Sequence, residues 1–479
     1  MFYFNASVKR AGLGKSLVMA LCLSYLLLPQ VLLQCADAQT SFETNAESYC
    51  SGAERNEACI NAAIMAAAEH NGGTVVVNVP YRIGGPIRLM SGVHLKCSRA
   101  GAVSQLPGAN VTHLIETSTY GASHASVENC PIDGNRTNES IGTSLVLLGG
   151  KGTDNAVRHN ILEGAPLFGV LIREESAHNA IVDNQFEQIT DRPIFVEGSA
   201  DVGGSNTIRG NRIRSYGGFG VALTGTKDNT ILENDIVGVT RVATVAVDGT
   251  AVVRQSGDSF AGILPGMHVV FRGLGGPSPI VRRVDSDNSL TLAEPLTPRR
   301  ALLVRIGSLE TINVDASQNN LIACNLCDGS SDAGITLHDQ HGPSRGNRIF
   351  KNRCSRNGSV GIALEAWAGG GVVGNYVENN VLLDNVQAGE ANAPQFDVEI
   401  RVAGPGAQGN VIGFNEVSEA AKSSIREYGI ALDSVGPGNS ASGNSVKGLT
   451  HLEARHSGSP IQTITNGSVA ASYKCPPSK

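Results

Sequence analysis

Between Thr311 and Thr450 short apolar segments recur, each followed by an asparagine-framed turn. They read Gly334-Ile335-Thr336-Leu337-His338, Gly361-Ile362-Ala363-Leu364-Glu365, Asp397-Val398-Glu399-Ile400-Arg401 and Gly429-Ile430-Ala431-Leu432-Asp433. The second and fourth positions are apolar in all four, the two-residue period of a strand with one buried face. The fifth position is polar or charged each time. Strands stacked in register would therefore align their fifth side chains as one column on the outside of the protein.

A second periodicity runs through the same text, Asn-x-(Ile/Val)-x-x-Asn-x-(apolar). It occurs at Asn155/Asn160, Asn179/Asn184, Asn206/Asn211, Asn229/Asn234, Asn320/Asn325, Asn347/Asn352, Asn410/Asn415 and Asn439/Asn444. The last copy has Ala441 at its apolar position, and a ninth copy at Gly370/Asn375 has lost its first Asn. The second positions step by 24, 27, 23, 91, 27, 23, 40 and 29 residues. A repeat of this length is one coil of a parallel β-helix. Asn tolerates left-handed backbone, and its amide can bond along a ladder, so these residues are structural. The 91-residue step leaves about 65 residues beyond one coil. That Val-rich stretch carries an Asp248-Gly249 hairpin signal and reads as a small inserted antiparallel β-barrel.

The expected fold is all-β, a right-handed parallel β-helix with an N-terminal capping helix. An Ala-rich helix is predicted from Asn56 to His70, with Asn56 as its N-cap and Asn71-Gly72-Gly73 as its stop. Residues 39–238 hold this cap and the first coils, 239–307 the insert, 308–450 the remaining coils, and 451–479 a tail wrapping the C-terminal end. Residues 1–38 read as a bacterial-type export signal. Lys9, Arg10 and Lys15 precede the apolar run Leu17–Leu33, and Ala36-Asp37-Ala38 offers a small-residue cleavage site.

Composition narrows the function. The 479 residues include 57 Gly and only 5% aromatics, which suits many short strands and tight turns. The formal charge is −6. It falls to −8 once three bases and one acid leave with residues 1–38, which argues against nucleic acid as a partner. No later run is long and apolar enough to span a membrane. Eight of the ten Cys lie beyond residue 38, an even number compatible with disulfides in an exported chain. Cys324 and Cys327 lack a second pair at zinc spacing.

The segments Ala58-Cys59-Ile60-Asn61-Ala62-Ala63-Ile64, Gly72-Gly73-Thr74-Val75-Val76-Val77, Tyr81-Arg82-Ile83 and Ile87-Arg88-Leu89-Met90-Ser91-Gly92-Val93-His94-Leu95 resemble the opening of the pectate-lyase superfamily domain in rhamnogalacturonase- and epimerase-like proteins. The resemblance implies that the helix plugs the N-terminal end of the stack and that chemistry lies on a strand face across neighbouring coils. Periplasmic copper-maturation proteins share similar repeats. The polygalacturonase set of aspartates with its Arg-Ile-Lys segment is absent. His338-Asp339-Gln340-His341 loosely resembles the Asp-Pro-His segment of alginate epimerases.

The expected column is Arg173, Glu197, Thr224, Asp315, His338, Glu365, Arg401 and Asp433. Seven of these eight are ionisable in a chain that is 17% charged. Outward strand positions are polar in any case, so a solvated face of weak ion pairs is the competing account. His338 as base, Arg401 as neutraliser of a sugar carboxylate and Glu365 orienting either would suit a lyase or C5-epimerase on a uronic-acid polymer. Asp339, His341, Trp367, Glu399 and Asp433 are candidate substrate contacts. Glu365, Asp397 and Glu399 are candidate ligands for Ca²⁺. Asp315 and Glu365, about 9.6 Å apart at the backbone, would be the pair of a glycoside hydrolase. A non-catalytic glycan-binding face is the alternative of another class.

Overall fold

Each coil contributes three short strands, because turn residues interrupt the apolar alternation every few positions. Their inward side chains stack coil on coil. Ile181, Ile208, Ile231 and Ile322 are successive partners in one sheet and are fully buried. The computed structural model describes residues 42–138, 142, 144–198, 203–271, 278–386, 398–418, 428–448, 451–456 and 475. The predicted leader 1–38, Asp397 and most of the 451–479 tail lie outside the described residues. Among the described residues, three long sheets of 13, 12 and 12 strands run along the stack with parallel pairing. No helix among them is long and apolar enough to cross a membrane.

Helix α1, Glu57–Glu69, packs Cys59, Ile60, Ala63, Ile64 and Ala67 against the first strands. The side chain of Asn56 caps it by accepting from Ala58 N at 3.2 Å. Asn71 turns the chain out of the helix at φ 63°. The end of the stack is thereby covered rather than left as an open edge.

Two continuous asparagine ladders hold the turns. In the second, Asn160, Asn184, Asn211, Asn234, Asn325 and Asn352 each send Nδ2 to the next Oδ1, as from Asn234 to Asn325 at 2.9 Å. Two corrections follow. The left-handed residue is the one before the Asn, as at His159, Asp183, Glu233 and Cys324. The Asn itself is chosen for its amide. The ninth copy is also intact, because Asn375 continues the first ladder and Asn380 the second. The sequence reading placed this copy five residues early. A third, shorter ladder runs from Ser330 through Asn357 and Asn385 to the carboxylate of Glu399.

The long step between Asn234 and Asn325 contains an antiparallel unit of four strands, Thr240–Gly257, His268–Phe271, Val281–Ser286 and Ser289–Gly307. It has its own core, with Val245, Phe260, Val269, Leu292 and Ile306 buried. Asp248-Gly249 is not a hairpin turn. The first strand runs straight through it, and the register slips on either side of Gly249, whose φ is 58°. A glycine in this conformation lets a long strand bulge and bend without ending.

The described cysteines divide into the disulfides Cys50–Cys59, Cys97–Cys130 and Cys324–Cys475 and the buried thiols Cys327 and Cys354. Asn325→Ala strands the backbone N–H of Asn234 and the carbonyl of Ile231 in the interior. It is expected to cost roughly 2–4 kcal/mol, read as a lowered denaturation midpoint. Replacement of exposed Asn138 should leave the midpoint unchanged.

Candidate functional site

The site lies on the outer face of the 12-stranded sheet that contains β1 (Glu310–Asp315), β2 (Ala333–His338), β3 (Val360–Glu365), β4 (Val398–Ala403) and β5 (Tyr428–Asp433). Pairing is in register, Asp315 to His338, His338 to Glu365, Glu365 to Ala403 and Ala403 to Asp433. The expected column therefore forms, with one correction. Ala403 takes the place assigned to Arg401, and Arg401 pairs with Ala363. A slip of two residues keeps every side chain on its face. Arg401 thus still points outward and reaches diagonally to Glu365.

Four side chains form a continuous relay. Glu310 Oε1 lies 3.5 Å from His338 Nε2, and His338 Nδ1 lies 3.8 Å from Glu365 Oε2. Arg401 Nη1 donates to Glu365 Oε1 at 2.9 Å. Glu310 also accepts from Asn313 Nδ2 at 2.9 Å. Side-chain exposure is 6% at Glu310, 16% at His338 and Arg401, and 24% at Glu365. Such partial burial makes these charges matter to one another more than surface pairs do. Burial pulls the His338 pKa down. The hydrogen bond and charge of Glu310, with the charges of Glu365 and Asp315, outweigh it and raise the pKa to about 9. Burial pushes the Glu310 carboxyl up, against the pull of His338. His338 is therefore an imidazolium at neutral pH. In this state it can give a proton, the opposite of the role expected from the sequence.

The relay opens into a cleft of about 730 Å³. Trp367, 55% exposed, forms part of its wall. The loop carrying it is tied to Asp339, which accepts from the backbone N–H groups of Trp367, Ala368 and Gly371 at 3.1, 3.0 and 2.8 Å. Burial raises the Asp339 pKa, and these backbone bonds overcome it, so the net shift is downward. Facing Trp367 across the cleft is the insert, through residues such as Phe271, Leu296 and Arg299.

The other sequence candidates separate. Asp315, 4% exposed, is bonded to the ring and backbone N–H of His341 and contributes charge to His338 from behind. It does not line the cleft, and neither does exposed His341. Asp339 is a positioning residue, buried at 3% exposure. Glu399 is 1% exposed and bonded to Asn385 within the coil. It faces away from Glu365, which dissolves the Ca²⁺ cluster; its third member, Asp397, lies outside the described residues. Asp433 bonds Ser434 beyond the cleft.

Sequence reasoning missed Glu310, Asp332, Thr336 and Arg305, which all line the cleft. Glu310 stands one residue before the apolar alternation begins. Its only sequence signal is its register with Phe219 of the coil before.

A family model described as "Periplasmic copper-binding protein (NosD)" matches residues 81–251. No curated protein matches the chain. Among solved structures, the mannuronan C-5 epimerase AlgE6 A-module of Azotobacter vinelandii has a TM-score of 0.59 at 15% identity, covering 88% of this chain and 98% of that one. The AlgE4 A-module of the same organism gives 0.54 at 15% identity, covering 88% and 100%. An exopolygalacturonase from Thermotoga maritima gives 0.52 at 10% identity, covering 85% and 92%. The chain is a right-handed parallel β-helix protein of pectate-lyase-like fold. At these identities the likeness is one of fold. The relay of this β-helix, residues 310 to 401, lies beyond the segment that matches the family model. Among the described residues no group of three or more His, Cys, Asp or Glu is arranged to hold a metal ion. The soft thiols of Cys327 and Cys354 are sealed in the core. The described residues thus assemble no copper site from these donors.

Two predictions follow from the relay and its wall. The raised pKa of His338 means that its stabilising contribution is complete below pH 6.5 and lost as pH rises through about 9. Melting temperature should fall over that interval more steeply in the wild type than in His338→Gln. Trp367 is the sole tryptophan, so Asp339→Ala should raise quenching of its fluorescence by acrylamide.

Proposed function

We propose that this β-helix is an exported polysaccharide-active enzyme that moves a proton at C5 of a uronic-acid unit, as a lyase or a C5-epimerase. The observation that carries this reading is the relay Glu310–His338–Glu365–Arg401, open to a cleft with a tryptophan wall. Arg401 is held by Glu365 in the free protein. A substrate carboxylate is a better-matched partner for a guanidinium than one oxygen of Glu365. Its arrival draws Arg401 away and leaves Glu365 as a free carboxylate base. Glu365 then takes the C5 proton, and the electron pair passes into the C6 carboxylate, where Arg401 stabilises the enolate-like charge. The imidazolium of His338 supplies the second proton. Delivered to the departing O4 as the C4–O4 bond breaks, it completes a β-elimination. An epimerisation instead needs the second proton on the opposite face of C5, from a donor across the cleft from Glu365. Trp367 offers the ring a stacking surface.

A second reading has its own support. Burial raises the pKa of Glu310, while Glu365 on the other side of His338 is paired with Arg401. Two carboxyls in contrasting environments are what a glycoside hydrolase uses as acid and base. An exported location agrees with the predicted leader and with the periplasmic description of the matching family model.

Purified residues 39–479 should be incubated with alginate, pectate, rhamnogalacturonan and glycosaminoglycans, with and without Ca²⁺. Unsaturated-product absorbance marks a lyase, C5-proton exchange without cleavage an epimerase, and reducing ends alone a hydrolase. Silence in all three with measurable glycan binding would leave a binding protein. On the active substrate, His338→Ala and Arg401→Ala are each expected to lose about 100-fold or more in kcat/KM. Normal turnover in both would remove the site assignment.

A further inference from the structure

The cleft is closed on one side by the insert. Its floor comes from β1, β2 and β3 with Arg401 of β4, and its opposite wall from Phe271, Pro279, Leu296, Arg299 and Leu302 of the insert. No lining residue belongs to the coils before the insert. Yet the sheet continues into those coils without a break, Phe219 pairing with Glu310 and Thr224 with Asp315. The position of the insert explains this. It leaves the stack at Val239 and returns at Ser308, whose N–H donates to the Val239 carbonyl at 2.9 Å. From that stem it leans back onto the two preceding coils, while Thr240 Oγ1 donates to Gly329 O at 2.8 Å and Arg305 Nη1 to Gly358 O at 3.2 Å in the coils that follow. A Cβ at Gly266 of the insert would meet Thr190 O at 2.2 Å, and one at Gly217 would meet Gly266 O at 2.4 Å. The charge of Asp191 acts on half-buried His268 across the same contact.

We infer that the insert makes this a chain-end site. A glycan enters from the side of Arg401, its last unit stops against the insert, and the reacting unit lies over His338 and Glu365. The inference rests on the proposed reading of the relay as a glycan site. Size agrees: 730 Å³ falls within the range of about 300–1,000 Å³ that encloses one small ligand. It is not a track along a face of twelve strands.

The closed end is also equipped for an acidic terminal unit. Arg305, 5% exposed, lines it, and its Nε has no hydrogen-bond partner. Asp332 reaches its Nη2 only at 3.7 Å. Arg299 lines the same end, and the buried hydroxyl of Thr336 there is also without a partner. Residues 240–307 carry eight Arg against five acidic residues, a net +3. The rest of the chain, with 29 basic and 38 acidic residues, carries −9. An acidic chain is thus drawn to the insert and repelled elsewhere.

The test is length dependence. Oligosaccharides from trisaccharide to dodecasaccharide of each glycan in the activity screen, labelled at the reducing end, are titrated into wild-type protein. The altered or released unit is then located on any that turn over. Affinity per chain is expected to stay constant within about twofold, with all change at one terminus. Affinity that climbs with length, or first products altered internally, would overturn the inference. Replacing residues 240–306 by a short glycine linker, with folding checked by a cooperative melt, should create length dependence and internal action. Arg299→Ser/Arg305→Gln keeps the insert and should weaken chain-end binding by about tenfold. Unchanged affinity in that variant would equally count against the idea. End binding without turnover would preserve this inference and discard the lyase or epimerase reading, whereas absence of any glycan binding discards both.

Discussion

Between the ends of the two long ladders the buried asparagine amides accept from one coil and donate to the next, so every coil must turn at the same place as its neighbour. A coil that slipped by one residue would strand several amides in the core and move its apolar side chains outward. In-register stacking is thus the constraint on which the rest depends. It tolerates insertions of any size between turns, because only the return point is fixed. The step from Asn234 to Asn325 absorbs a folded unit while Asn234 Nδ2 still reaches Asn325 Oδ1 at 2.9 Å.

Register also converts sequence positions far apart into a relay. Glu310, His338, Glu365 and Arg401 lie on four successive coils. The vertical spacing of coils, about 4.8 Å, suits side chains that bond their neighbours above and below. Alternating charge then follows, and the histidine between two carboxylates is held protonated. Behind it, Asp315 held to His341 and Asp339 bonded to the Trp367 backbone fix the surroundings, neither carboxylate entering the cleft.

The insert gives the face its polarity. The family-model match ends at residue 251, inside the insert and before the relay. What that match captures is therefore scaffold, which is also all that the solved β-helix structures share at 10–15% identity. The relay lies outside that match, between the insert and β4.

The sequence alone determined the coil, the asparagine turns, the capping helix and the column of Asp315, His338, Glu365 and Asp433. Each of these is written in local spacing, a period of two within a strand and a fixed step between Asn residues. Only the tertiary structure decided the rest. Arg401 was displaced by two residues because Glu399 takes the inward position that Gly361 holds in the coil before, ending a ladder with a carboxylate; such a slip leaves the alternation untouched and is invisible in one sequence. Glu310 joined His338 because the insert returns the chain at Ser308, a meeting no local period encodes. The protonation of His338 depends on burial and on charges from the two neighbouring coils, and these exist only once the stack has closed around it.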